Sequence, residues 1–361
     1  MGAEALPIPS EIPAPPPHSP VILGLQPPAL VDHVAPVDWS LLDQIPGDQG
    51  GSSPVTFQQL EEILSEVNNT SPLTTIAGGS VANTIRGLSA GFGLFCGLIG
   101  AYADDEQGRL FVGNMSRNGV NVSGLRLKEG HTAQCVCLVD QLGNRTMRPC
   151  LSSAVQVQAD EITREDVKGS KWLVLRYGMF DLEVVQAAIR IAKQEHVLVS
   201  MDLASFEMVR DFGLPLLQLL ESRDIDLCFA NEDEARELMS GGKKTDARTA
   251  VEFLAQHCKW AVVTLGPNGC IAKHGKETVR VPAIRGAKAI DATGAGDLFA
   301  SGFLYGLVAG LTLKECCEVG ACCGASVIRS IGGEVTPENW KWAHKQMQIK
   351  IKGVPIPTSH N

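Results

Sequence analysis

Aromatic side chains are scarce in this chain: 11 Phe, 5 Trp and 3 Tyr make up 5% of 361 residues. That leaves few candidates for sandwiching a flat ligand between rings. Positive charge is also in deficit. Lys and Arg number 31 against 40 Asp and Glu, a net charge of −9 and a sequence pI of about 5.4, which argues against a broad nucleic-acid or anionic-membrane surface. An anionic ligand must then be gripped locally, by backbone N–H groups, a few basic residues or a metal. No apolar run is long and uninterrupted enough for a membrane span. The 11 Cys contain no Cys-x-x-Cys pair, and several sit in apolar stretches. That spacing argues against zinc and for free thiols in a reducing compartment. The start, Met1-Gly2-Ala3-Glu4, lacks the basic and apolar regions of a secretory signal. Leu6 stands where a myristoylated terminus needs Ser or Thr, and Ser359-His360-Asn361 is not the peroxisomal tripeptide. The expected compartment is the cytosol.

What is present suits one large domain or two ordinary ones: 44% hydrophobic residues, 20% charged, and 37 Gly, the residue that lets backbone approach a phosphate. Residues 1–20 read as a Pro-rich disordered tail and 346–361 as a C-terminal tail, leaving 21–345 as the domain. Val21–Leu25 reads as a first buried strand, 58–68 as an amphipathic helix, Ala77–Leu88 as a helix opened by a Gly pair, and Gly91–Gly100 as a strand. From about 108 to 155 short β-prone segments such as 133–139 suggest antiparallel strands. After 171 the rhythm changes. Strand-like runs at 172–175, 197–201, 227–230 and 261–264 alternate with helical stretches at 181–194, 232–239 and 247–258. This alternation predicts an α/β fold with a doubly wound, mostly parallel sheet flanked by helices. Such sheets bind ligands beyond the carboxyl ends of their strands.

The strongest chemical signal is Asp291-Ala292-Thr293-Gly294-Ala295-Gly296-Asp297-Leu298-Phe299-Ala300. Small residues at Gly294, Ala295 and Gly296 let successive N–H groups converge at the start of an apolar helix, whose N-terminus adds positive potential. Such a nest suits the charge on a phosphoryl group in transfer. Asp297, at its rim, is placed to accept the proton of an attacking hydroxyl; the bland alternative is a helix cap.

Asp-x-x-Gly-Ala-Gly-Asp before an apolar helix resembles the C-terminal signature of the pfkB/ribokinase family of sugar and nucleoside kinases. The resemblance runs from about 21 to 345. It implies a ribokinase-like fold with a small β-sheet lid, its strands mainly within 25–50 and 108–155, closing over the acceptor to exclude water. Gly78-Gly79-Ser80-Val81-Ala82-Asn83 resembles the family's Gly-Gly-x-x-x-Asn element, so Gly78, Gly79 and Asn83 are expected to hold acceptor hydroxyls. Asp32 fits the place of the family's diol-binding Asp, although Gln26-Pro27-Pro28 departs from the usual pattern. Gly97-Leu98-Ile99-Gly100 with Asp104 or Asp105 and Gly108 resembles a structural turn. Asn231-Glu232-Asp233-Glu234 resembles the family's Asn-x-x-Glu, which implies that Asn231 serves the ATP phosphates and Glu234 organises Mg2+; taken alone, the same residues suit an acidic helix start. Thr264, Gly266 and Gly269 resemble the nucleotide-binding Thr-x-Gly-x-x-Gly turn. Asp291 is expected to contribute to a K+ site, and 319–333 resembles adenosine kinases beside the adenine. Arg145 and Arg148 lie in the lid stretch, as site residues or as surface charge.

These readings imply an ATP-dependent phosphotransferase acting on an alcohol group, with a nucleoside 5′-hydroxyl as the favoured acceptor and Mg2+ and K+ as cofactors. The expected partners are small molecules, with neither nucleic acid nor membrane, in a monomer or homodimer. A ribose- or fructose-type sugar kinase is the rival. A catalytically silent binding protein is a third reading, prompted by Ala292 where the signature usually has Thr.

Overall fold

A computed structural model describes residues 19–47, 49–151, 154–178, 182–240 and 246–351; most of the Pro-rich stretch and the last ten residues lie outside these. Thirteen strands are described: β1 Ile22–Pro28, β2 Leu30–Pro36, β3 Thr74–Gly78, β4 Cys96–Ala103, β5 Asn121–Lys128, β6 Ala133–Val139, β7 Arg145–Cys150, β8 Trp172–Arg176, β9 Leu198–Asp202, β10 Leu227–Asn231, β11 Trp260–Thr264, β12 Cys270–His274 and β13 Glu277–Val281. They form a large sheet ordered β13-β12-β11-β10-β9-β8-β1-β4-β5 and a small sheet ordered β3-β2-β6-β7. The large sheet is parallel from β11 to β5, with β12 and β13 antiparallel at one edge.

Period-two side-chain alternation buries both faces of the large sheet. In β8, Trp172 and Val174 join one core while Leu173 and Leu175 join the other. The first core is closed by helices Ser80–Phe92, Ala295–Val308, Leu313–Val327 and Pro337–Lys350, the second by Leu182–Gln194, Gly213–Glu221 and Ala247–Leu254. Helix Ala295–Val308 packs very closely on Leu313–Val327: a Cβ at Gly302 would stand 2.7 Å from the Val319 carbonyl oxygen. The helix starts are chemically marked. Thr56 with Gln59, and Thr312 with Glu315, form reciprocal capping boxes.

β1 runs almost without interruption into β2, with Ala29 alone between them. The chain thus passes straight from the centre of the large sheet into the small one. The small sheet rests helix Phe57–Thr70 on its outer face through Leu60, Ile63 and Val67. Its inner face carries Val34, Cys135, Cys137 and Val139.

Several boundaries differ from the sequence reading. Ala77 and Gly78 end a strand, and the helix begins at Ser80 and runs to Phe92. Gly79, at φ 90°, makes the corner. Helix Glu106–Arg117 occupies the start of the stretch read as antiparallel strands, and β5 belongs to the large sheet. β6 pairs parallel with β2 and antiparallel with β7. β3, from a segment outside 25–50 and 108–155, is the fourth lid strand. The last helix continues to Lys350, past the 345 boundary. Asp105 is the residue of the Gly97–Gly108 turn that matters structurally: it caps its helix by accepting from Gly108 N at 2.7 Å and holds Thr132 through its N and Oγ1 at 2.8 and 2.7 Å.

Candidate active site

A cavity of about 390 Å³ opens between the sheets, beyond the carboxyl ends of β1, β8 and β10. That size suits a small-molecule ligand. The strand order turns at β1, whose neighbours are β8 on one side and β4 on the other, so the cavity sits at the topological switch point of the sheet. Gln26, Gly79, Ser80, Cys135, Arg145 and Arg176 are among its walls, with Asn231 and Glu234 at one side. A narrow recess continues from it between Ser80, Arg176, Asp202, Gly296 and Asp297.

Asp297 lies in the first turn of helix Ala295–Val308. Its Oδ2 accepts from Asn83 Nδ2 at 2.9 Å. The direction of that amide is dictated one residue further back. Arg86 is buried and donates to Asn83 Oδ1 at 2.7 Å; a guanidinium cannot accept, so the oxygen of Asn83 faces it and the NH2 is left for Asp297. Arg86 also donates to the carbonyls of Ala77 at 2.9 Å and Gly333 at 3.0 Å and to Asn114 Oδ1 at 2.9 Å. Glu334 supplies a carboxylate 3.5 Å away. Burial raises the Asp297 carboxyl above the usual Asp range, while Asn83, Arg176, Arg145 and Ser80 pull it back down.

Gly294 caps this helix at φ 77° with no side chain. The amides of a first helical turn lack intrahelical acceptors, and Gly296 and Asp297 line the recess. A Cβ on Gly294 would meet Gly333 Cα at 2.9 Å. Gly294→Ala therefore combines left-handed strain with a backbone clash, and is expected to cost ~2 kcal/mol in thermal or urea unfolding. Asp291, one layer deeper and fully buried, ties the two loops together. Its Oδ1 accepts from Thr293 N and Oγ1 at 2.8 and 2.7 Å, and its Oδ2 from Gly332 N at 2.7 Å. These bonds satisfy both carboxylate oxygens from within the chain.

Asp32 projects from β2 onto Gly78, where a Cβ would stand 2.1 Å from its carboxylate. The glycine is thus required by close approach. In the same way the side chain of Gln26 fills the space beside Gly79, accepting from Ala82 N at 2.9 Å and donating to Gly78 O at 3.3 Å. Gln26 is a site residue that sequence reading registered only as a departure from pattern. Burial pushes the Asp32 carboxyl up to about 7, against the pull of Arg86. The sign follows. Between about 4 and about 7 the folded chain holds a proton that the unfolded chain has lost, so this group's contribution falls as pH rises through that window. Asp32→Asn is expected to match the parent's melting temperature near pH 4 and to exceed it increasingly up to pH 8, measured in chelator-treated buffer.

Asn231 and Glu234 form a closed unit at the start of helix Glu232–Ser240. Glu234 accepts from Asn231 N and Nδ2 at 2.8 and 2.7 Å, while Asn231 Oδ1 accepts from Asp233 N and Glu234 N, both at 2.9 Å. The helix-start reading is therefore realised, and Glu234 still reaches the cavity. Burial and the neighbouring Asp202 raise its carboxyl to about 8. Asp202, at the end of β9, is raised by burial too and opposed by Arg176. Two hard carboxylates so disfavoured as anions are a donor set that a divalent cation would relieve. Thr264 pairs with Asn231 across β10 and β11. Gly266 and Gly269, at φ 53° and 89°, turn the chain beside it; none of these three lines the cavity wall. Arg145 donates from the lid to Ala292 O at 3.1 Å, whereas Arg148 turns away to Pro46 O at 2.7 Å. Arg176 and Asp202 carried no recognised motif; their place at strand ends was the available signal.

Among the described residues no helix is long and apolar enough to cross a membrane. The sequence profile of pfkB family carbohydrate kinases matches residues 51–340. An uncharacterized sugar kinase of Archaeoglobus fulgidus is 26% identical over 247 residues, 66% of this chain and 94% of that protein. A 5-dehydro-2-deoxygluconokinase of Geobacillus thermodenitrificans is 26% identical over 291 residues, 74% of this chain and 83% of that protein. The crystal structure of adenosine kinase from Sinorhizobium meliloti superposes with a TM-score of 0.82 at 29% identity, covering 90% of this chain and 99% of that one. A profile match over well over half the chain, on a fold shared with ribokinase-like enzymes, makes this protein a member of the pfkB family of sugar and nucleoside kinases.

Proposed function

We propose that the protein transfers the γ-phosphoryl group of ATP to a primary hydroxyl, most suitably the 5′-hydroxyl of a nucleoside, with Asp297 as the base. The observation that carries this is the Asp297 carboxylate, held by Asn83 at 2.9 Å beside the first-turn amides of its helix and opening on the recess of the cavity. In this reading Asp32 and the Gly78–Gly79 backbone grip acceptor hydroxyls, and Asn83 aims the base. The Gly294–Asp297 amides receive the charge of the phosphoryl group. The lid closes the cavity against water. Asn231, Thr264, Gly266 and Gly269 would serve ATP, and Glu234 with Asp202 would hold Mg2+ through water. The metal supplies charge neutralisation of the phosphates when bound. The nucleoside preference rests on the likeness to adenosine kinase, with Tyr177 and Phe206 as the rings in the described cavity wall.

A sugar-type acceptor bearing an acid group is the second reading. Arg145 and Arg176 both line the cavity, and neither has a carboxylate within 4.0 Å among the described residues; an acid group on the acceptor would give these cations a direct partner. The test is MgATP turnover across adenosine, other nucleosides, neutral sugars and sugar acids. Turnover confined to sugar acids overturns the nucleoside reading. ATP binding with no turnover on any acceptor, from protein indifferent to Asp297→Asn, overturns the kinase reading of the site in favour of a silent binding protein.

A further inference from the structure

β2 and β6 run parallel in the lid with Asp32 directly opposite Cys135. Cys137, two residues on, points to the same face as Cys135. Three potential ligand atoms, one carboxylate oxygen and two Sγ, consequently lie within 4.8 Å of one another, and they are the one such trio of His, Cys, Asp or Glu among the described residues. Asp32 is 4% exposed and both cysteines 0%. The two sulfurs are 3.8 Å apart. Two thiolates bound to one tetrahedral ion at about 2.3 Å stand about 3.8 Å apart, so the pair already has the bite a metal would impose. Asp32 Oδ1 has no hydrogen-bond partner, an expensive state for a buried carboxylate oxygen.

We infer that Asp32, Cys135 and Cys137 form a binding site for a thiophilic divalent cation of the Zn2+ or Cd2+ type in the wall of the acceptor cavity. Ligand chemistry sets the class: two thiolates select soft or borderline ions and reject Mg2+ and Ca2+. Charge is consistent with it. Two thiolates and a carboxylate carry three negative charges, of which a divalent ion offsets two, and the buried Arg86, shared with Glu334, also acts on Asp32. Arg145 is a second cation acting on Asp32, and Asp297 an opposing anion. A thiol must lose its proton to ligate, so binding releases protons and tightens with pH. Of the three, Cys135 lines the cavity, the side from which water or an oxygen of a bound molecule would complete the coordination. Chain spacing alone argues against zinc because no Cys-x-x-Cys pair occurs; here the two thiols are one residue apart and the third ligand arrives from a strand about a hundred residues away in sequence.

The test uses the full chain, reduced, freed of metal by a chelator and titrated with Co2+ and then Cd2+. One equivalent of Co2+ is expected to give thiolate-to-cobalt charge-transfer bands with tetrahedral ligand-field bands, displaced by one equivalent of Cd2+. Cys137→Ala and Cys135→Ala should each weaken binding by on the order of 100-fold, and Cys150→Ala, a half-buried thiol on β7 outside the trio, should leave it unchanged. Asp32→Asn keeps both thiols and the side-chain shape; it should keep the charge-transfer bands while weakening affinity, and it serves as the second variant if a cysteine variant does not fold. Absence of thiolate bands overturns the assignment. So do bands that persist at full affinity in Cys137→Ala, or affinity unchanged in Asp32→Asn. The readout is independent of turnover, so it stands or falls apart from the kinase reaction.

Discussion

Asp297→Asn is expected to lower kcat by about 10³-fold while changing the KM for ATP little, because a positioned general base contributes roughly 10²–10⁴. The exchange is close to isosteric, and the Asn oxygen can still accept from Asn83 Nδ2, so the melting temperature should hold. The pH profile supplies an independent check. The base works as its anion, so activity rises with pH through the Asp297 pKa, which burial sets above the ordinary Asp range. Asn83 lowers that pKa; Asn83→Ala removes the pull and should move the acidic limb of kcat to higher pH. An Asp297→Asn enzyme that retains its activity, or an Asn83→Ala limb that moves down, contradicts the role.

The largest stability effect is expected at Arg86. Its guanidinium bonds Ala77 O, Gly333 O, Asn83 and Asn114 and faces Glu334, all from a site 2% exposed. Arg86→Leu strands two carbonyls and the Asn83 oxygen, and removing one partner of a buried charged network costs about 3–5 kcal/mol. Glu334 is one-third exposed and can turn to water, which keeps the loss within that range. A fall in melting temperature on the order of 10 °C follows for a chain of this size. Arg86→Lys keeps the charge but cannot bond four acceptors through one nitrogen, so it should fall between. In both variants kcat should drop as well, because Asn83 loses the contact that orients its amide. A melt within 2 °C of the parent would contradict the hub assignment.

Much of this arrangement is visible in local chemistry. The Asp291–Asp297 loop announces a helix start stripped of side chains, and the strand–helix rhythm after 171 places β8 to β11 where they stand. Periodicity and turn residues are short-range signals, and they suffice for such segments. What was illegible depends on pairing across long stretches of chain. The end of β3, Ala77–Gly78, reads as the beginning of a helix because the Gly78–Gly79 pair joins the two elements. β5 is as β-prone as β6, and nothing local says that one belongs to the large sheet and the other to the lid. Arg86 sits unremarked in a helix buried along most of its length; its importance comes from acceptors as far away as Gly333 and Glu334. Gln26 looks like a broken motif because the amide it holds, Ala82 N, lies 56 residues on.

The junction at Ala29 has a mechanical consequence. Since β1 leaves the middle of the large sheet and becomes β2 after one residue, with Pro27 and Pro28 fixing φ on the approach, the small sheet is mounted on a stiff stalk. A molecule seated against Asp32 therefore bears on the same strand that anchors the whole architecture.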